Sequence, residues 1–384
     1  MAAGVVAALQ VGKAAVAIPL LQMELGLSLG AVAWLAAIFP LIGAFGGVPA
    51  GSAVTAIGDR RILMAGLLVI AVGSAVGAAA ASYSLLLLSR VVEGLGFLLI
   101  VVAAPTILRR ITAERRRDQV LAGWSCFIPI GMSLVLVAGP LFPGWRELWW
   151  TTSALAAITA LVVWLTVPAA AQVRAASWQD LAADVAATVQ DRRPLWLALS
   201  FGLYSVMYYA MFSFLPVMLI ERMGVTNRVA GLMSAVAVAA NIVGNLSAGA
   251  LLSRGFGRST LLIAASLCMG VAALGIYLPL LPDLPTFLLC VLFSGVAGAV
   301  PATLLSSASL FAPRAALVPV TVGLVIQGSN LGQIAGPALL GNLVAIYGWS
   351  AGAPVVGLTA LLAAGVALHL RRRSQPHPVE GSQL

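Results

Sequence analysis

Apolar runs of about twenty residues recur along the whole chain, separated only by short polar loops. A bilayer core about 30 Å thick is crossed by about twenty apolar helical residues at about 1.5 Å per residue. A chain patterned in this way therefore has lipid as the solvent of most of its surface. Runs near 3–22, 31–52, 62–81, 85–108, 119–141, 149–168, 195–219, 229–252, 259–280, 285–308, 316–342 and 347–370 predict twelve membrane helices. The runs are continuous rather than alternating over about ten residues, so membrane β-strands are not expected. Only 9% of the residues are charged and 61% are hydrophobic. An ordinary soluble domain, with about 25% charged residues, is excluded.

The net charge of +9 would suit a nucleic-acid binder if the basic residues were clustered on a soluble face. They sit instead in alternate loops. One side of the predicted membrane holds Arg60, Arg61, Arg109, Arg110, Arg115, Arg116, Arg117, Arg174, Arg192, Arg193, Arg254, Arg258, Arg314, Arg371, Arg372 and Arg373. The other holds Arg146, Arg222 and Arg228, and only Lys13 and Arg90 fall inside runs. This asymmetry predicts a multi-pass protein of a bacterial-type inner membrane with both termini cytoplasmic. Nucleic acid is not an expected partner. Cys126, Cys268 and Cys290 lie inside apolar runs at no ligand-like spacing and read as small core residues, with no metal or cofactor implied. Lys13 interrupts the first run, which reads as a retained helix rather than a cleaved signal.

Between the sixth and seventh runs lies the most polar internal stretch, residues 171–194, where Leu181, Val185 and Val189 recur at helical spacing beside Asp180, Asp184 and Asp191. An amphipathic surface helix is predicted there. It divides the chain into a six-helix bundle at 1–168, a linker at 169–194, a second bundle at 195–372 and a disordered tail at 373–384. The halves repeat. Ala138-Gly139-Pro140 corresponds to Ala335-Gly336-Pro337, each followed by a Gly-Trp pair, Gly144-Trp145 and Gly348-Trp349; the loop from Gly51 to Arg61 corresponds to that from Gly249 to Arg258. A parallel six-plus-six repeat is the plan of secondary transporters that rock two halves about a midplane site.

Several segments bring one family into view. Gly51-Ser-Ala-Val-Thr55-Ala-Ile-Gly58-Asp59-Arg60-Arg61 resembles the loop signature of the major facilitator superfamily, Arg90-Val-Val-Glu93-Gly94 resembles its fourth-helix arginine signature, and Gly131 through Gly139-Pro140 partly resembles its fifth-helix glycine-proline signature. Lys13 with Pro19, Phe214-Leu215-Pro216, Asn241 to Leu246 and Gln327 to Gln333 together resemble the branch that contains cyanate and 2-nitroimidazole permeases. The resemblance implies an all-α membrane protein of two pseudo-symmetric six-helix bundles, a functional monomer working by alternating access. It also implies that helices 1, 4, 7 and 10 line a central cavity and that Gly51, Gly58, Asp59, Arg60 and Arg61 form a gating loop. Thr55 stands where the family's loop usually carries an aspartate.

The charges inside the runs are the first candidates for transport chemistry. Lys13 is the chain's only lysine, about ten residues from either end of its run. An ammonium at that depth costs at least about 2.5–3.5 kcal/mol. It reads as a point charge for an anionic substrate or as a group whose proton moves; the alternative is a snorkelling side chain. Gln10 shares its helical face. Arg90 and Glu93, three apart, read either as a structural ion pair or as a proton carrier with its partner and anion contact. In the second half Asn241, Asn245, Gln327, Asn330 and Gln333 offer neutral polar groups, for helix association or for orienting a substrate. Tyr204, Tyr208, Tyr209 and Phe212, with Trp34 and Trp124, are aromatic wall or packing. Met207 and Met211 read as packing rather than a copper site. Together these residues predict a proton-coupled carrier of a small organic anion or compact polar molecule. The rival is a proton-driven exporter of hydrophobic drugs or nitroheterocycles. No nucleotide loop or nucleophile–base set suggests an enzyme.

Overall fold

The computed structural model describes residues 1–27, 29–168 and 178–373. Arg174 and the tail after residue 373 lie outside the described residues. Everything regular in the described part is helical. The first half runs through α1 (Ala2–Leu25), α2 (Leu29–Ile57), α3 (Asp59–Ala78), α4 (Tyr83–Ile111), α5 (Arg117–Ser125), α6 (Phe127–Ala138) and α7 (Trp145–Thr166). After α8 (Trp178–Gln190) the second half follows with α9 (Arg192–Phe212), α10 (Leu215–Met223), α11 (Asn227–Ser253), α12 (Arg258–Tyr277), α13 (Asp283–Ala297), α14 (Ala299–Phe311), α15 (Val318–Tyr347) and α16 (Gly352–Arg373). Among the described residues, eleven helical segments are long and apolar enough to cross a membrane, and α1 adds a shorter apolar stretch, Ala2–Ala14.

Three of the predicted spans are broken helices, and proline sets each break. Pro129, Pro216 and Pro301 lie four residues after Ser125, Phe212 and Ala297, the last residues of α5, α9 and α13. A proline cannot donate to the carbonyl four residues back, and its ring clashes with it. The pairs α5–α6, α9–α10 and α13–α14 are thus single spans with a hinge. Pro40, Pro49, Pro105 and Pro337 lie within helices that continue through them.

Within each half the spans close into a bundle in the same order. The repeated glycine of Ala-Gly-Pro has the same place in both: a Cβ on Gly139 would meet Val16 of α1 at 2.6 Å, and one on Gly336 would meet the Val206 carbonyl of α9 at 2.5 Å. Only glycine lets the fifth span approach the first, and the eleventh the seventh, this closely.

The halves meet along α2 and α15, and along α5 with α11 and α14. Along the first of these seams Gly47 of α2 faces Gly323 of α15, and a Cβ on either would come within 2.3 Å of the other's carbonyl oxygen. Hydrogen bonds join the halves towards the arginine-rich end: Arg258 to both carboxylate oxygens of Asp118 at 3.0 and 3.1 Å, and Gln119 to Ser253 at 3.2 Å. The linker helix α8 lies against α2, α9 and α15 at this end. It turns an unexpected face inward: Asp184, paired with Arg314, and Thr188 are buried, while Val189 is exposed.

Candidate functional site

The charges inside the apolar runs meet in one place. Lys13 of α1, Glu93 of α4 and Arg90 of α4 are all fully buried. Glu93 lies between the two cations: Lys13 donates to its Oε1 at 2.6 Å, and Nη1 of Arg90 to its Oε2. Lys13 and Glu93 are thus in direct contact. The cluster sits inside the first half, where α1, α3, α4 and α7 converge, because Lys13 also reaches Ser74 Oγ of α3 at 2.8 Å and Thr152 Oγ1 of α7 at 3.2 Å. Ser74 in turn contacts Glu93 at 2.8 Å and Gln10 Oε1 at 3.0 Å. With all three groups ionised the cluster carries one net positive charge.

A donor count separates the two cations. An ammonium has three N–H donors, and those of Lys13 are taken by Glu93, Ser74 and Thr152. The group also rests 4.4 Å from the ring centre of Trp149. Arg90 is less committed. Its Nε donates to the Leu35 carbonyl of α2 at 3.1 Å and its guanidinium lies 4.2 Å over Phe39, but the buried Nη2 has no partner among the described residues. A buried charged donor left unpaired is costly, so Arg90 holds binding capacity that Lys13 does not.

The remaining sequence candidates fall in other places. Gln10 belongs to the charge cluster. Trp124 is buried on α5, stacked on Phe127 at 4.7 Å. On α9, Tyr204, Tyr208 and Phe212 form a stacked ladder that continues to Phe293 of α13. Asn241 donates to the Ser294 carbonyl at 3.1 Å and Asn245 to Asn241 Oδ1 at 2.7 Å. Asn241 thus ties α11 to α13 and Asn245 ties α11 to itself, yet Asn245 Oδ1 stays without a partner among the described residues. Gln327 lies against Gly47, and Asn330 against Gly43, at the contact between halves; Gln327 Oε1 is likewise unpartnered. In the loop signature Gly51 faces Pro319 of α15, and Gly58 precedes α3 at φ 101°. Asp59 binds Arg110 at 2.9 and 3.1 Å, Arg60 reaches the Trp164 carbonyl and Arg61 is exposed. Those contacts stay within the first half; the cross-half ion pair is Asp118–Arg258. Sequence reasoning missed Ser74, Thr152 and Trp149, because one hydroxyl or indole in an apolar helix carries no spacing signal. It also missed the Asp118–Arg258 pair, whose residues are 140 apart.

Comparison with known proteins follows the same lines. The sequence profile of the Major Facilitator Superfamily matches residues 1–318 and, in a second overlapping match, 229–383. The chain belongs to the major facilitator superfamily. The cyanate transport protein CynX of Escherichia coli (strain K12) is 29% identical over 293 residues, covering 75% of this chain and 74% of that protein. Among solved structures, the human organic anion transporter MFSD10 (TETRAN) has a TM-score of 0.78 at 17% identity, over 95% of this chain and 98% of that one. The E. coli fucose:proton symporter FucP has a TM-score of 0.78 at 17% identity, over 98% and 97%. The protein is therefore a multi-pass membrane transporter with the superfamily fold of two six-helix bundles.

Proposed function

We propose that the protein carries a small anion or compact polar molecule together with a proton across an inner membrane, by rocking its two halves. The observation that carries this reading is the buried Lys13–Glu93–Arg90 cluster with its unpartnered Arg90 Nη2. Glu93 acts as the internal counter-ion of Arg90. Protonating Glu93 removes the charge that holds the guanidinium, and a substrate anion then takes its place on the planar fork, which suits bidentate recognition. Lys13, saturated by protein acceptors, keeps Glu93 in position and biases its proton affinity rather than touching substrate. The cyanate transport named for CynX places cyanate first among substrates to test. The positive-inside asymmetry supports a cytoplasmic position for the arginine-rich end. On that reading the closed end is cytoplasmic and the conformation faces outward.

Uptake of labelled cyanate into proteoliposomes under an imposed pH gradient tests this. Glu93→Gln is expected to lose gradient-driven accumulation while keeping substrate exchange, and Arg90→Gln to lose both. Unchanged uptake of every small anion by Arg90→Gln would sink the anion reading. A second reading, export of flat hydrophobic heterocycles, is favoured by the Tyr204–Tyr208–Phe212–Phe293 ladder. On that reading Tyr208→Ala costs more transport than Arg90→Gln.

A further inference from the structure

A cavity of about 550 Å³ opens at the arginine-rich end of the second half, between α9, α12, α14 and α16. It lies in the opposite half from the charge cluster and takes no part in the proposed transport chemistry. Its walls combine three guanidiniums, those of Arg193, Arg258 and Arg371, with the hydroxyls of Ser259 and Thr260. Among the described residues no acidic side chain lines it. Apolar side chains line it too, and one of them, Leu310, is 59% exposed on the surface of α14. One opening thus joins a basic pocket to an exposed apolar position on a helix.

The internal repeat sharpens the point. At the matching position of the first half, α3 begins with Asp59, and that carboxylate binds Arg110 through both oxygens. The first half therefore supplies its own anion to its basic residues. In the second half Arg258 stands in the place of Asp59. Its guanidinium turns to Asp118 of the other half and to Ser306, and Arg193 is paired with Asp191. Arg371 has no ion pair among the described residues, so the cavity keeps a positive potential.

We propose that this cavity binds the phosphodiester headgroup of an anionic lipid, with an acyl chain lying along the Leu310 face. Basic pockets between membrane helices at the positively charged side select such headgroups. Because Arg258 also holds Asp118, lipid binding and closure of this end share one guanidinium, and lipid composition becomes an input to the conformational cycle.

Native mass spectrometry of the full-length protein, supplied with phosphatidylglycerol or phosphatidylcholine, tests the proposal alongside thermal unfolding with each lipid. The wild type is expected to retain phosphatidylglycerol preferentially and to unfold at higher temperature with it. The Arg193→Gln/Arg371→Gln variant is expected to bind phosphatidylglycerol about 30-fold more weakly, the loss of two arginine contributions near the surface. Thr260→Glu supplies a carboxylate inside the cavity. It is expected to fold without added lipid and to show no preference for phosphatidylglycerol, and it decides the matter should the double variant not fold. Equal retention of the two lipids by the wild type, or an undiminished preference in Thr260→Glu, would overturn the proposal. So would stabilisation of the delipidated protein by inorganic phosphate to the same extent as by phosphatidylglycerol, since the source would then be a soluble anion.

Discussion

Lys13 is held by three acceptors from three other helices, and its removal is felt as a broken buried pair. Removing one partner of such a pair costs about 3–5 kcal/mol, against about 0–1 kcal/mol for an exposed one. Glu93 keeps Arg90 and Ser74 when Lys13 is lost, so Lys13→Met is expected near the lower value, about 3 kcal/mol. The Lys13→Met/Glu93→Gln protein is expected to be less stable than Lys13→Met alone, because the buried Arg90 guanidinium then has no counter-ion. Thermal unfolding of the purified variants checks this; simple addition of the two penalties would show the residues to be uncoupled. One surface pair is distinguishable by pH. Arg193 bonds the Asp191 carboxyl and holds it below the usual carboxylate range. A depressed carboxylate contributes stability above its unfolded value, about 3.9, and loses it only as pH falls through the folded value. A transport change between pH 5 and 8 therefore does not come from Asp191. If Asp191→Asn flattens the transport profile in that range, this assignment is wrong. At this scale the ion pair was visible from the three-residue spacing of Arg90 and Glu93. The hydroxyl partners were not, since Ser74 and Thr152 lie 61 and 139 residues from Lys13.

Among the elements, the hinges and the α2–α15 seam decide how the spans can move. Pro129, Pro216 and Pro301 break helices where Pro40 and Pro105 do not. A proline frees the same backbone carbonyl in each case, and neighbouring helices determine whether the chain stays straight around it. The seam depends on Gly47 and Gly323 having no side chain. Gly47→Leu is expected to force α2 away from α15 and to shift the population towards the conformation open at the arginine-rich end. Distances between spin labels at the arginine-rich ends of α2 and α15 measure this. An unchanged distance distribution in a folded Gly47→Leu protein would count against the seam as a conformational determinant.

For the whole molecule, few polar contacts among the described residues join the halves at the arginine-rich end. Asp118–Arg258 and Gln119–Ser253 cross between the halves, and α8 adds the Asp184–Arg314 pair. Asp118→Asn removes the charge while keeping the shape. It is expected to lower the occupancy of the closed end and to raise alkylation of a cysteine placed at Ser253. Bridging Gln119→Cys and Ser253→Cys with a short bifunctional thiol reagent is expected to stop transport reversibly. Full transport after complete cross-linking would mean that this end does not open during the cycle.

Each segment's meeting with its solvent is a local property, so the twelve apolar runs, the arginine asymmetry, the repeated Ala-Gly-Pro and the isolation of Lys13 could all be read from residue order. Contacts across segments depend on the depth and rotation of every helix at once. For that reason only the folded chain saturates Lys13 and leaves Arg90 Nη2 unpaired. For the same reason it turns Asp184 inward with Val189 outward, and places the cross-half ion pair at Asp118–Arg258 while Asp59 stays within its own half. Hydrophobicity is additive along a chain; the pairing of buried donors with acceptors is not, because each partner is fixed only when the surrounding helices have packed.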